Sequence, residues 1–362
     1  MLYLGTSFAD ATLYGNIDQT YNSTKTTTAG VVTNQQTNFS AYQMGQSFLG
    51  VKGEEDLGSG LKASYLYEFG LSTDTSATPT NRQSYVGLSG GFGALRIGKQ
   101  YSNAFMNALA SDPGGATGGA GALYLAALTG YNGTEAPLRQ DKGVQYDLPN
   151  FVPGLTISLT KVVGNANSAV ATGVDLDGDG TVDTTNSGTG GVKTGDGNGI
   201  SIAYTSGGLR AGFTSDTVSN KGINFGTVTL TDGTTSVNPL VEASETNKNK
   251  LTTFALSYDL GMAKPSYSNV KMSVGSQSIK VDMFAVSVPL GAATVFISTS
   301  SGKIDLTGSE NDAKAKGMQY GVNYGLSKRT VAYWHAGNST LTSNAGVATK
   351  TTGFGIGVHH TF

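Results

Sequence analysis

Four aspartates, Asp175, Asp177, Asp179 and Asp183, hold the first, third, fifth and ninth places of a short segment in which Gly180 takes the sixth, turning place. That is the spacing of a calcium loop, where hard oxygens converge and the seventh residue, here Thr181, offers its backbone carbonyl. Asn186 stands at the twelfth place instead of a bidentate Glu, which lowers the expected affinity to the millimolar range of extracellular modules. The same segment without an ion is a solvated acidic surface loop. Bond-making chemistry has little to draw on. The chain holds no Cys and three His, His335, His359 and His360, and no nucleophile elbow points at His335. The expectation is therefore no enzyme activity and no required cofactor, with Ca²⁺ in one loop as the single ligand that the spacing suggests.

Composition narrows the elements that can carry these residues. Of 362 residues, 13% are charged, 38% hydrophobic and 52 are Gly, with a formal net charge of −2. Soluble domains average about 25% charged residues, so much of this surface is made for something other than water. Yet no apolar run nears the ~18 residues of a membrane helix, the longest candidate being the Gly-flanked AGALYLAALTG from Ala120. In hydrocarbon every backbone N–H and C=O must be paired within the protein, and without helices only a closed barrel does that. A secreted β-solenoid or an adhesin shares the composition and stays open at this point. The near-neutral charge argues against nucleic acid as a partner. Absence of Cys suits passage through an oxidising compartment. Ser7, Phe8 and Ala9 form a small-x-small cleavage pattern, so residues 1–9 are expected to be a signal-peptide remnant and 10–362 a single domain.

Period-two alternation recurs along the chain. Leu155, Ile157 and Leu159 alternate with Thr156, Ser158 and Thr160, and Phe354, Ile356, Val358, His360 and Phe362 share one side of the last segment. Seven compact turns separate the strands, near Gly58, Gly91, Phe151, Gly207, Gly261, Leu290 and Leu326. Eight other connections, mostly longer, are placed near 22–38, 72–80, 103–140, 164–198, 216–248, 275–279, 300–315 and 338–349. Fifteen connections join sixteen strands, with short turns on one side and both termini beside them.

The blocks SFLGVKGEEDLGSGLKASYLYEFG, NRQSYVGLSGGFGALRIGKQYS, YGVNYGLSKRTVAYW and GVHHTF resemble the Gram-negative general porins, especially those of β-proteobacteria. The resemblance implies an all-β, 16-stranded antiparallel transmembrane barrel in the outer membrane, with an infolded third extracellular loop that forms a constriction. It implies a homotrimer among outer-membrane lipid and lipopolysaccharide, and a terminal Phe362 read by the barrel-assembly machinery. It implies passive passage of small hydrophilic solutes and ions, with a weak anion preference. Asp112 and Glu135 become the acidic members of the loop, although both could equally lie solvated at its outer part. Arg82 and Arg139 match wall arginines of the family, Lys99 stands where the family often has Arg, and Lys52 follows a basic position in GVKG. Phe48 replaces a further family Arg, which weakens the case for strong anion selectivity. Alternation places Glu68 on the inner face with Lys62, Ser64 and Leu66, against Ala63, Tyr65, Tyr67 and Phe69 outside. Lys99 shares a face with Leu95 and Ile97 and ranks below the two arginines. A substrate-specific outer-membrane channel and an adhesin or structural barrel remain the alternatives.

Overall fold

A computed structural model of the chain describes residues 11–40, 44–73, 76–114, 139–164, 196–219, 228–229, 235–236, 248–274, 277–305 and 312–362. The first half of the wall is β1 (Thr12–Thr28), β2 in two pieces (Val31–Ser40 and Phe48–Gly58), β3 (Leu61–Gly70), β4 (Thr80–Gly90), β5 (Gly93–Tyr101), β6 (Arg139–Asp147), β7 (Leu155–Val162) and β8 (Gly197–Ser206). The second half is β9 (Leu209–Ser219), β10 (Lys248–Tyr258), β11 (Lys264–Val274), β12 (Gln277–Leu290), β13 (Ala293–Asp305), β14 (Ala313–Gly325), β15 (Thr330–Ser343) and β16 (Ala348–Thr361). One short helix, α1 (Asn103–Leu109), follows β5. Two short strands, Val228–Thr229 and Thr235–Ser236, pair with each other between β9 and β10. Among the described residues no helix is long and apolar enough to cross a membrane.

Consecutive strands pair antiparallel around the sheet, and the last returns to the first: Asn16 lies opposite Thr361 and Thr28 opposite Thr349. The lower piece of β2 pairs with Thr12–Asn16, the upper piece with Thr20–Thr28. Counting its two pieces as one strand, the wall is a closed sixteen-stranded antiparallel barrel.

Two rows show how the pattern of side chains becomes a wall. Ile157, Ile202, Phe213 and Phe254 stand directly opposite one another across β7 to β10 and face outward. One residue along, Ser158, Ser201, Thr214 and Thr253 form the matching row on the inner face, all buried. A one-residue slip of any strand would exchange these faces, so lipid outside and polar groups inside specify the register.

The seven compact turns lie where the alternation places them. The other side differs from the expectation in three places. The segment 22–38 is a hairpin whose strands run to Thr28 and from Val31, turned by Ala29 and Gly30 at φ 50° and 83°. Two positive-φ residues give the twist that matches flanking strands. The connections near 300–315 and 338–349 are likewise shortened, with strands reaching Asp305 and Ser343 and resuming at Ala313 and Ala348. At 22–38 and 338–349 the cause is Thr, whose branched Cβ favours extended backbone; at 300–305 it is the ladder on both sides, Lys303 facing Lys280 and Lys314. The Thr26 and Thr351 hydroxyls meet at 3.0 Å, and those of Thr28 and Thr349 at 3.2 Å. Polarity alone reads such segments as loops; pairing makes them strands.

Replacing Ile202 by Arg puts a charge in the middle of the outward apolar row. The expected cost is about 2–4 kcal/mol, measured by denaturant unfolding in lipid vesicles.

Candidate functional site in the barrel lumen

Arg82 stands at an irregularity in the β3–β4 pairing, where Glu68 faces Gln83 and Phe69 faces Asn81, leaving Arg82 as the extra residue. Strict alternation from the outward Val86 and Leu88 would carry Arg82 toward lipid. The bulge turns it inward beside Gln83. There it is 5% exposed, donates to Gln46 Oε1 and to the Tyr101 hydroxyl, and stacks over Phe48 with its guanidinium carbon 4.9 Å from the ring centre. Its Nε lies 3.5 Å from Glu68 Oε2. Glu68 also accepts from the Tyr14 hydroxyl at 2.7 Å and from Gln83 Nε2 at 2.9 Å. Alternation alone had put Glu68 on this inner face.

Arg139, the first residue of β6, lies over the Tyr101 ring at 4.8 Å and donates to its hydroxyl at 3.4 Å. Lys52 extends over the Tyr14 ring at 4.7 Å. Arg82, Arg139 and Lys52 thus gather about one carboxylate, Glu68, and two phenol rings. Lys99 is placed differently. Its register partner is Ser84, on the outward face with Val86, and its ammonium pairs with Asp141 at 2.9 Å. That corrects its expected place among the lumen residues: alternation keeps Lys99 on the side of Leu95 and Ile97, and the irregularity between Gly98 and Gln100 turns Tyr101 in beside Gln100.

Alternation also carries two cations that were not singled out from the sequence. Arg96 pairs with Asp147 at 2.7 Å on the inner face, and Arg210 shares the inward parity of Thr214. Each alternates with outward residues, Ile97 and Phe213, so counting faces outward from those apolar positions would have found them.

The described start of the third loop runs to the other side of the ring. Ser102 caps α1 by accepting from the Phe105 N–H at 3.1 Å, and Phe105 stacks on Tyr101 with ring centres 5.2 Å apart. Asn107 Nδ2 then donates to Thr214 Oγ1 at 2.6 Å, and the Ser111 carbonyl accepts from Ser266 Oγ at 2.6 Å. Ala104 and Ala108 are fully buried in a cluster with Leu251, Val270, Met272, Ile279, Val281 and Met283. On β10 to β12 the inner face is therefore apolar beneath α1. Asp112, 8% exposed, accepts from the Gly114 N–H at 2.8 Å, which fixes the Pro113 turn. Glu135 lies outside the described residues, as do Asp175, Asp177, Asp179, Thr181 and Asp183.

A second buried charge was missed altogether. Asp18 on β1 has no solvent exposure. It accepts from the N–H groups of Met44 and Gly45 at 2.9 and 3.0 Å, from Thr20 Oγ1 at 3.2 Å and from the Tyr333 hydroxyl. His359 Nδ1 is 3.4 Å away across the closing strand pair. The Asp18 N–H donates to Ser47 Oγ at 2.9 Å. One carboxylate thus ties β1, β15, β16 and the segment between the two pieces of β2. Phe362 completes the seam, exchanging backbone hydrogen bonds with Gly15 at 3.0 and 3.1 Å.

A closed barrel with an apolar outer face and a polar, charged inner wall defines an outer-membrane porin by class. Comparison with known proteins gives the family. A family model described as Gram-negative porin matches residues 4–344, and the chain belongs to that family. Membership places it in the outer membrane. It is 35% identical over 170 residues to the major outer membrane protein P.IB of Neisseria meningitidis serogroup A, covering 45% of this chain and 48% of that protein. A P.IB protein of Neisseria gonorrhoeae is 46% identical over 96 residues, covering 25% of this chain and 27% of that protein. The chain thus spans about half the length of the first of these relatives, and less of the second. Among solved structures, the anion-selective porin from Comamonas acidovorans covers 98% of this chain and 100% of its own at a TM-score of 0.73 and 21% identity. An OmpF complex with daunomycin from Salmonella typhi aligns at a TM-score of 0.66 and 14% identity, covering 98% of each chain. At such identities the likeness speaks for the fold.

Asp18→Ala removes an acceptor that several buried donors share. The expected loss is about 3–5 kcal/mol, read from thermal unfolding, together with a new protease cut near Met44.

Proposed function

We propose that the chain is a general diffusion channel for small hydrophilic solutes and ions, working as a homotrimer. The observation that carries this reading is the wall itself: apolar rows outside, and inside a ring of hydroxyls, amides and charges that no lipid-facing surface would hold. The infolded third loop is part of the proposal, supported by the hydrogen bonds of its first residues to Thr214 and Ser266. The trimer is supported by fold likeness to structures that include a trimer form of OmpT from Vibrio cholerae.

The mechanism is electrostatic. Low-dielectric walls focus the field of lining charges into a narrow aqueous passage, and a Debye length of about 8 Å spans a constriction of similar width. Arg82, Arg139 and Lys52 gather about Glu68, three positive groups to one negative in this cluster. Asp112 belongs to the loop segment bound to the far wall, so the pair of walls bears a transverse field. The resulting filter acts by size and, weakly, in favour of anions. Phe48, lying under the Arg82 guanidinium, adds no charge where another arginine would have strengthened that preference.

The channel is not an enzyme in this reading. His335 Nε2 is bonded to Asn323 Oδ1 at 2.7 Å and His360 Nδ1 to Thr330 Oγ1 at 2.9 Å, which leaves them to structural work.

Single-channel recording in planar bilayers separates the alternatives: ohmic conductance for the diffusion channel, saturable solute block for a specific one, near silence for an adhesin. In a salt gradient, Arg82→Gln with Arg139→Gln shifts the reversal potential toward cations, and Phe48→Arg shifts it toward anions. An unmoved potential in both removes this wall from the selectivity mechanism. For the loop of Asp175, Asp177, Asp179, Thr181 and Asp183 we propose Ca²⁺ binding at millimolar affinity. Calcium titration followed by protection of the loop from protease checks it, with Asp177→Asn expected to abolish the protection.

A further inference from the structure

Lysines stand directly opposite one another on four consecutive strands. Lys271 of β11 faces Lys280 of β12, Lys280 faces Lys303 of β13, and Lys303 faces Lys314 of β14. Like charges placed across neighbouring strands repel, so such a row is disfavoured unless something anionic lies over it. All four share the outward parity of Tyr267, Phe284, Ile297 and Met318, and are exposed to the outside of the barrel. Lys250 on β10 and Lys316 on β14 share that parity and flank the row.

Height along the wall narrows what could cover them. The row is at the loop end of these strands, away from the short turns. Phe284 is four residues below Lys280 on the same face, about 13 Å along the strand at ~3.3 Å per residue. Phe254, Tyr267 and Phe284 form a contiguous aromatic band of tilted rings, with ring centres 6.1 and 4.8 Å apart. Such a girdle marks the edge of the hydrocarbon. The lysines therefore lie at headgroup level, on the leaflet facing the loops.

Carboxylates do not balance them. Lys280 pairs with Asp282 at 3.2 Å and Lys303 with Asp305 at 2.6 Å, while Asp312 adds one acid near the Lys303 end. Among the described residues that makes three acids against six lysines, and no ion pair between them engages Lys271, Lys314, Lys316 or Lys250. The Lys280 and Lys303 side chains remain 53% and 63% exposed, free to swing toward a ligand.

We propose that this row is a binding site for the phosphate groups of a lipid headgroup in the outer leaflet. A lysine ammonium on a flexible stem serves as a point charge for phosphate, and clustered lysines beside a membrane bind anionic headgroups. The alkyl stems lie along the barrel and deliver the charges upward. Small soluble anions meet the same ammonium groups without anchorage in the hydrocarbon, so the lipid is the occupant that the position selects. The inference rests on the outer-membrane location and not on ion flow through the lumen.

The test uses the full-length folded protein in a zwitterionic detergent, titrated with diphosphoryl lipid A, with the same lipid stripped of its phosphates, and with inorganic phosphate. The diphosphoryl form is expected to bind at least about tenfold tighter than the stripped form. The quadruple K271Q/K280Q/K303Q/K314Q should abolish that preference, and the corresponding four Lys→Arg changes should keep it. Should the quadruple Gln protein fail to fold, K271Q/K280Q and K303Q/K314Q separately should each lower the preference about threefold. A Gln variant that folds and keeps the full preference overturns the site. Equal displacement of the lipid by equimolar inorganic phosphate overturns the lipid as its ligand. Bilayer conductance should be unchanged in these variants; a silent wild-type channel that keeps its lipid preference would sink the channel reading alone.

Discussion

A backbone N–H or C=O left unpaired in hydrocarbon costs several kcal/mol, and that constraint governs this molecule. A sheet has two edges, each a row of unpaired groups, and the only cure within one chain is to join them. The pairing of β1 with β16 along Asn16 to Thr28 does so. Once the ring is closed, every strand has two faces with different solvents. The paired rows of Ile157 to Phe254 outside and Ser158 to Thr253 inside are the direct result.

Closure also creates a place where polar groups are crowded together and must satisfy one another. Arg82 and Glu68 do so with Gln46, Gln83, Tyr14 and Tyr101; Asp18 does so with backbone N–H groups and Tyr333. Asp18 is the more structural of the two centres. It binds the seam strands and the interrupted β2, so the place where the ring was joined is held by side chains as well as by the backbone ladder. The inner face of β10 to β12 breaks the polar rule because α1 covers it: Ala104 and Ala108 provide the apolar partners that Val270, Met272 and Met283 would otherwise lack. α1 and wall are thus complementary, and the described residues after β5 reach Thr214 and Ser266 through Asn107 and Ser111.

Much of this architecture was legible as a string of residues. Two-residue periodicity and compact turns identified the strands, and parity alone placed Glu68 inward. Polar segments at 22–38, 300–315 and 338–349 were misjudged because polarity marks loops only where strands do not pair; partner strands extended all three into the wall, helped by branched Thr side chains in the first and the last. Arg96 and Arg210 were available to the same parity argument that found Glu68.

The sequence by itself determined that the chain is a barrel, how many strands it has and which face of most of them is oily, since a period of two needs no knowledge of partners. Only the tertiary structure decided where individual charges point. The extra residue at Arg82 reverses its face and the irregularity between Gly98 and Gln100 brings Tyr101 inward to meet it, because a bulge depends on how two strands meet. For the same reason Asp18 was invisible: its partners come from β15, β16 and the gap in β2, far apart along the chain, and a buried carboxylate is defined by what surrounds it.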